Sequence, residues 1–191
     1  SFRKANQLED KFVALYAGAH GMSNDLNIVL ESASLLANEK NIHIVFLGDG
    51  KEKPALMVQA KGLSNVTFLP SVPKAEMASA LAGADACIAI LKPLEEYKTT
   101  YPNKVFDYMA AGRPVALAID GVIREVVEAA DCGIFAAPGD AAQLADAIRR
   151  LAADPKKSRA MGLRGRKYLE ENFSRAVIGE KLVKLLGEVV S

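Results

Sequence analysis

Residues 101–114 read Tyr-Pro-Asn-Lys-Val-Phe-Asp-Tyr-Met-Ala-Ala-Gly-Arg-Pro and lead directly into the apolar run Val115–Ile119. Asn103 is a good N-cap after a proline, and Gly112 is a good helix stop before one, so the stretch predicts a short helix between them. The apolar run after it has the length and composition of a buried strand. A helix followed at once by a buried strand is typical of an α/β fold.

Two charged residues of this helix are candidates for ligand binding. Lys104 lies in the first turn, where a cation opposes the helix dipole unless it meets a negative ligand. Asp107 lies about one turn further along the same face and can accept hydrogen bonds from sugar hydroxyls. The alternative for Asp107 is a solvated helix residue.

The same alternation extends over most of the chain. Segments with helical spacing separate the apolar runs, and the runs are short and nearly continuous, as in strands that are covered on both faces. This pattern predicts an open, largely parallel, doubly wound sheet of Rossmann-like type, followed by C-terminal helices that include a final one over residues 175–190. The predicted strands are Phe12–Tyr16, Ile42–Leu47, Val66–Leu69, Ala86–Leu91, Val115–Ile119 and Gly133–Ala136.

Length and composition indicate one domain over residues 1–191. Half of the residues are hydrophobic and the net charge is +1, which argues against a nucleic-acid partner. Cys87 and Cys132 fall in apolar runs and are expected to be buried, reduced thiols, which favours a cytoplasmic location. The chain begins with Ser1 instead of Met, from which we expect a fragment of a longer protein.

Two glycine turns follow predicted strands. Gly18-Ala19-His20-Gly21 would let the backbone approach a phosphate or sugar closely, with His20 either facing the ligand or capping a neighbouring turn. Gly48-Asp49-Gly50 invites a dinucleotide-binding interpretation, but the third glycine is missing, so a tight turn that starts a helix is favoured. The chain contains no Asp-x-Asp and only two histidines, His20 and His43, so no metal site is expected.

Asp107-Tyr-Met-Ala-Ala-Gly-Arg-Pro114 resembles the second half of the donor-site signature of retaining glycosyltransferases with the two-domain GT-B fold. The Pro-x-Lys-x-Phe-Asp-Tyr-Met variant is similar to a bacterial surface-polysaccharide branch of that group. The resemblance covers about residues 12–175 and implies the C-terminal, donor-binding half. The first acid of the signature would fall on Thr99, which is a departure from the pattern.

The resemblance implies roles for particular residues. Asp107 would hold the ribose hydroxyls, and Lys104 would stabilise the departing diphosphate as the catalytic group. The family's basic residues after the first strand are missing, near Ala19 and near Asn24 or Asp25. Either His20 and Lys104 neutralise the diphosphate instead, or the domain binds its donor weakly. Further candidate contacts lie in three places: the first glycine turn, the turn after the third strand, which would face the nucleobase, and the segment up to the start of the Lys104 helix. They are Gly18, Gly21, Pro70, Ser71, Val72, Thr99, Thr100, Tyr101 and Asn103.

The implied function is retaining transfer of a sugar from UDP or another nucleoside diphosphate to a polysaccharide or lipid-linked acceptor. Neither a cofactor nor a metal is expected, and an N-terminal acceptor domain would be missing. Two alternatives stay open: a nucleotide-sugar epimerase or phosphorylase of the same fold, and a binding module without catalysis. A basic cluster would be either a solvated helix face or a peripheral contact with the cytoplasmic membrane: Lys156, Lys157, Arg159, Arg164, Arg166 and Lys167.

Overall fold

The computed structural model describes residues 2–174 together with residues 177 and 179. Within them the chain forms one six-stranded parallel sheet with the strand order β3-β2-β1-β4-β5-β6. The strands are β1 Phe12–Ala17, β2 Ile42–Leu47, β3 Val66–Leu69, β4 Ala86–Ile90, β5 Val115–Ala118 and β6 Gly133–Phe135. The helices are α1 Phe2–Ala5, α2 Leu26–Leu35, α3 Lys53–Gln59, α4 Lys74–Gly83, α5 Asn103–Ala110, α6 Val122–Ala129, α7 Ala141–Ala153 and α8 Pro155–Phe173.

All six predicted strands are confirmed, each within one residue of its predicted ends. Their apolar runs are continuous because helices cover both faces of the central strands, so that every residue of β1 and β4 is buried. Along β1, Ala14 and Tyr16 join a core with α2 and α7, whereas Val13 and Leu15 join a second core with α4, α5 and α6. The predicted doubly wound architecture is therefore confirmed.

The strand order creates a switch point in the middle of the sheet. β1 pairs with β2 on one side, from Phe12 opposite Ile42 to Ala17 opposite Leu47, and with β4 on the other. The chain winds outwards in opposite directions from these two strands, which leaves a crevice at their carboxyl ends. The turn after β1 and the segment between β4 and α5 border this crevice.

The last two described helices have the side-chain caps that their sequences favour. Asp140 accepts from the Gln143 N–H at 2.9 Å, and Asp154 accepts from the Lys157 N–H at 3.0 Å. In α8, Gly162 permits close packing on the end of α5, because a Cβ at that position would lie 2.2 Å from the Gly112 carbonyl oxygen. The predicted helix over residues 175–190 lies outside the described residues, except for 177 and 179.

The two cysteines are buried and unpaired, as expected. No helix among the described residues is long and apolar enough to cross a membrane. Three residues of the basic cluster on α8 and its surroundings pair with carboxylates: Arg164 with Asp131, Arg166 with Glu170 and Lys167 with Glu171. This pairing favours the solvated-face interpretation of the cluster.

Candidate functional site

Hydrogen bonds join the predicted site segments at the carboxyl edge of the sheet. The His20 N–H donates to the Asp49 carbonyl at 2.8 Å, and the Ser71 N–H donates to the Asp49 carboxylate at 3.2 Å. Lys104 of α5 reaches the turn after β1 through Asn24. The turns after β1, β2 and β3 and the start of α5 thus form one continuous rim.

Lys104 lies directly beneath the first glycine turn. Its Nζ donates to the Tyr16 hydroxyl at 3.0 Å and to Asn24 Oδ1 at 2.9 Å, and it lies 4.5 Å from the centre of the Tyr16 ring. A Cβ on Gly18 would lie 3.4 Å from this nitrogen. An ammonium has three N–H donors, and these two bonds use two of them.

The Lys104 ammonium has no carboxylate partner among residues 2–174. Burial without a compensating negative charge lowers the pKa of Lys104 to about 8. The group is still mostly protonated at neutral pH, so a partly desolvated positive charge lies at the switch point of the sheet. Such a charge is energetically costly unless it meets an anion.

The His20 side chain caps no turn within the described residues, so that alternative is wrong, while its ligand-facing role stays a prediction. Its side chain is fully buried among the rings of Tyr16, Phe46 and Phe68, and neither ring nitrogen has a hydrogen-bond partner within the described part of the chain. Burial, assisted by the positive charge of Lys53, lowers the pKa of His20 to about 4. The imidazole is neutral at pH 7 and does not contribute positive charge to this rim.

The second glycine turn supports the first. Gly48 and Gly50 have φ values of 146° and 159°. A Cβ on Gly48 would lie 2.0 Å from the Gly18 carbonyl oxygen, and a Cβ on Gly50 would lie 2.4 Å from the His20 carbonyl oxygen. The glycines are required because two backbone segments touch here, which agrees with the tight turn preferred over a dinucleotide site. By contrast, Gly21 has an ordinary φ of −106°, and a Cβ there would make only an ordinary contact with Asn24 Nδ2, at 3.8 Å.

The turn after β3 is partly occupied by protein contacts. Both the N–H and the hydroxyl of Ser71 lie within hydrogen-bonding distance of Asp49 Oδ2, at 3.2 and 3.3 Å. Asp49 thus occupies the Ser71 N–H in this structure, and the assignment of this turn to the nucleobase stays a prediction. Pro70 and Val72 line an open cavity of about 390 Å³ beside Leu69 and α4.

The segment before α5 forms a 3₁₀ helix over Glu95–Thr99. The Thr99 and Thr100 hydroxyls both donate to the Glu96 carbonyl, at 3.2 and 3.4 Å, and Tyr101 is exposed next to Phe106. Local hydrogen bonds thus occupy both hydroxyl donors, although each oxygen can still accept.

The helix start differs from the predicted one by one residue. Asn103 is the first residue of α5 instead of its N-cap, and Pro102 occupies the cap position without a side-chain bond. Pro102 takes the extended conformation of a cap residue with its φ fixed near −65°, so the helix begins just after it. The N-cap prediction was wrong, but Lys104 does lie in the first turn.

Asp107 is exposed on α5 and borders a groove between α4 and α5 that Lys74 and Met77 also line. Lys104 instead packs against β1, so the two side chains contact different elements. Asp107 makes no hydrogen bond or ion pair within residues 2–174, and its assignment to ribose stays a prediction.

Three residues at this edge were missed by the sequence reasoning. Tyr16 was assigned only to a strand, and Asn24 was named only where a basic residue is missing, yet together they hold Lys104. Lys92, after β4, joins the turn after β1 through its N–H, which donates to the Ser23 carbonyl at 3.0 Å. Its side chain lines a cavity of about 170 Å³ with Glu95 and Asp120. The signal for Lys92 was its place directly after a predicted strand.

Within residues 2–174, no cluster of three or more His, Cys, Asp or Glu side chains is arranged to hold a metal ion. Cationic side chains at this edge of the sheet include Lys104 and Lys92.

The amino-acid sequence matches the model of the family "Glycosyl transferases group 1" over residues 11–154. The chain belongs to this family. The matched region includes every strand of the sheet and both glycine turns, as well as Lys104 and Asp107.

Among curated proteins, the chain is 23% identical over 191 residues to alpha-D-kanosaminyltransferase of Streptomyces kanamyceticus, and the match covers 98% of this chain and 48% of that protein. The chain thus spans about half the length of this glycosyltransferase.

Solved structures confirm the fold. HepE of Anabaena in complex with UDP superposes with a TM-score of 0.83 at 20% identity, over 97% of this chain and 51% of that one. The C-terminal domain of a glycosyl transferase group 1 protein, LpcC of Francisella tularensis, matches with a TM-score of 0.78 at 17% identity, over 91% and 92% of the two chains. The fold is the Rossmann-like fold of GT-B glycosyltransferases.

Proposed function

We propose that this chain is the donor-binding part of a glycosyltransferase, in which the Lys104 ammonium and the first turn of α5 bind the diphosphate of a nucleotide-sugar. The observation that carries the proposal is the partly buried ammonium at the switch point of the sheet, which has no carboxylate partner within residues 2–174. A diphosphate supplies the negative charge that this ammonium lacks, and it gains a charge-assisted hydrogen bond from the remaining donor.

The same contact would serve catalysis. Breaking the bond between sugar and diphosphate leaves negative charge on the departing oxygen, and a fixed ammonium in a partly desolvated crevice stabilises that charge.

Asp107 would bind the ribose hydroxyls, and Pro70 and Val72 would contact the base. We propose UDP as the nucleotide because HepE, which shares this fold, was crystallised in complex with UDP. Retaining transfer to a polysaccharide or lipid-linked acceptor is proposed on the motif resemblance.

A second domain would face this crevice and bind the acceptor. The chain covers about half of HepE and of the kanosaminyltransferase, which supports a second half in the parent protein. Three large apolar side chains near the crevice are 42 to 60% exposed: Met22, Leu94 and Tyr101. A covering domain would bury such residues. Contact with the cytoplasmic membrane, through the parent enzyme, belongs to the same proposal.

Calorimetric titration of the chain with UDP tests the nucleotide site. Removing a charge-assisted hydrogen bond costs about 1.5–3 kcal/mol, so Lys104→Met and Asp107→Ala should each weaken UDP binding by roughly tenfold or more. Lys61→Met is the matched control, because Lys61 is exposed and lies between α3 and β3, away from the carboxyl edge. Equal affinity in wild type and Lys104→Met would remove the diphosphate assignment.

Two further measurements extend the proposal. UDP binding should be unchanged by EDTA, because Lys104 would supply the positive charge that a metal ion supplies in metal-dependent transferases. A strict magnesium or manganese requirement would contradict this.

The chain alone should bind donor without transferring sugar, whereas the parent protein should transfer it to an acceptor extract. Acceptor-dependent transfer by the chain alone would refute the half-enzyme proposal, and donor alteration by the parent without acceptor would favour an epimerase or phosphorylase.

A further inference from the structure

Two uncharged side chains hold the Lys104 ammonium, and they do so in the same way. The Tyr16 hydroxyl accepts from Lys104 Nζ at 3.0 Å and donates to the Ala19 carbonyl at 2.7 Å. Asn24 accepts from the same Nζ at 2.9 Å through Oδ1 and donates to the same carbonyl at 3.0 Å through Nδ2. Each side chain therefore links the ammonium to the backbone of the turn over residues 18–21.

We propose that Tyr16 and Asn24 are positioning residues that fix the Lys104 ammonium beneath the turn over residues 18–21 through neutral acceptors, which leaves its positive charge available to a diphosphate. The ligand in this statement rests on the proposed function. The positioning itself is a property of the free chain and is measurable without any ligand.

The neutrality of the two acceptors is the central feature. A carboxylate at either position would pair with the ammonium and compete with an incoming anion. The nearest charged and titratable groups are Tyr16 on β1, the buried neutral His20 in the turn, and Lys53 of α3, which pairs with Asp49; Asp107 of α5 faces the groove with α4 instead. Within the described residues, none of them neutralises Lys104.

The first readout is the titration of the Lys104 ammonium. Nuclear magnetic resonance of its ε-carbon monitors this titration in the ligand-free chain as pH is raised. The second is UDP affinity by calorimetry between about pH 7 and about pH 9.5, where a lysine with a lowered pKa titrates. The titration of UDP is common to all variants and cancels in their comparison. The variants are Tyr16→Phe and Asn24→Asp, and the control is Tyr108→Phe.

Tyr108 is a suitable control because its buried hydroxyl also lies at the end of β1 but bonds only backbone. It accepts from the Ala17 N–H at 3.1 Å and donates to the Ala17 carbonyl at 3.0 Å. Loss of this hydroxyl should lower stability without shifting the Lys104 titration. A general loosening of the fold would affect the control and the Tyr16 variant alike.

Tyr16→Phe removes one acceptor of the charged form, so the Lys104 titration should move to lower pH. UDP affinity near pH 7 should fall by about two- to tenfold. Asn24→Asp introduces a compensating carboxylate, so the titration should move to higher pH while UDP affinity near pH 7 falls by roughly tenfold. These opposite shifts of the titration, both with weaker binding, are a result that a structural role alone would not produce.

An unchanged Lys104 titration in both variants, or the same shift in Tyr108→Phe, would overturn the positioning proposal. If the titration shifts as expected but UDP affinity does not follow it, the positioning stands and the assignment of the diphosphate to Lys104 fails. The two failures are thereby distinguished.

Discussion

Lys53 and Lys104 lie at the same edge of the sheet, each next to a glycine turn, yet their ammonium groups have different partners. Lys53 Nζ donates to the Gly48 carbonyl at 2.7 Å, to the Asp49 carboxylate at 3.0 Å and to the Leu69 carbonyl at 3.0 Å. All three donors are used, one of them on a carboxylate, whereas Lys104 has two neutral partners. A position near a glycine turn does not decide whether a lysine stabilises the fold or is available to a ligand. The hydrogen-bond partners of its ammonium do.

The two glycine turns also differ in how closely other atoms surround them. The turn at Gly48 and Gly50 needs glycine because the neighbouring turn touches its backbone. The turn at Gly18 and Gly21 has room: the nearest atom to a Cβ on Gly18 is the ammonium of Lys104, and only the Asn24 side chain lies near one on Gly21. One turn is built for packing within the protein, and the other leaves space at the crevice.

The comparison of the turns predicts the largest effect. Gly48→Ala should lower the free energy of unfolding by about 4 kcal/mol or more, because the new Cβ would overlap a backbone carbonyl at a strained φ. Gly21→Ala should change it by less than about 0.5 kcal/mol, since φ is ordinary and the new Cβ would make only an ordinary contact, with Asn24. Urea denaturation measures both. Similar losses in the two variants would break the distinction between the turns.

The lowered pKa of Lys104 predicts a pH dependence of stability. Its pKa is about 8 in the folded chain and 10.5 in the reference state, so the unfolded chain binds more protons between these values and folding stability should rise with pH there. Relative to Lys104→Met, the wild type should gain up to about 3 kcal/mol between about pH 8 and about pH 10.5.

Below about pH 8 the difference between wild type and Lys104→Met should be constant, since Lys104 is then protonated in both states. Groups common to both proteins, such as Tyr16 and the cysteines, contribute little to this difference. Chemical denaturation at a series of pH values provides the test, and a gap that stays flat above pH 8 would mean that the ammonium is not desolvated.

Lys53 should behave in the opposite way. Lys53→Met leaves two backbone carbonyls and a carboxylate without their shared donor, so stability should fall by about 2 kcal/mol. UDP binding by the fraction that remains folded should change less than in Lys104→Met. Thermal denaturation and calorimetry on the two variants, measured side by side, check the assignment. A larger binding defect in Lys53→Met would reverse the roles of the two lysines.

Lys92 tests whether the lack of a carboxylate partner is enough to make a lysine a binding cation. It lies next to the crevice without a carboxylate partner within residues 2–174, but no side chain there is seen to hold its ammonium as Tyr16 and Asn24 hold that of Lys104. Lys92→Ala should weaken UDP binding by only about two- to threefold, because a cation that is not fixed in place contributes less and is screened by salt. The defect should diminish further at high salt. Affinities at low and high ionic strength measure this, and a defect as large as that of Lys104→Met would place the diphosphate nearer to β4.

The parts of the fold that could be predicted follow from local rules. Six continuous apolar runs, each bounded by turn residues, defined the strands within one residue, because a strand covered on both faces tolerates few polar side chains. The order of the strands followed only in outline from the alternation, through the preference for right-handed crossovers. The start of α5 was displaced by one residue because Asn103 is intrinsically the better cap, whereas the extended Pro102 occupies that place.

The side-chain environments at the site could not be predicted. Nothing local distinguishes His20, which is buried among aromatic rings, from a histidine that faces a ligand. The Asp49 bonds to Ser71 likewise join two turns that are separated in sequence. Burial of this kind depends on which strands become neighbours, and the sequence pattern does not fix that.

The sequence by itself determined the alternating strands and helices, the two glycine turns and a lysine in the first turn of α5. The tertiary structure alone decided that this lysine is desolvated and has no carboxylate partner within residues 2–174. Its partners Tyr16 and Asn24 lie 88 and 80 residues away, and they meet it only because β1 lies beside β4 at the switch point. The availability of a charge depends on its desolvation and its partners, and both are properties of the assembled fold.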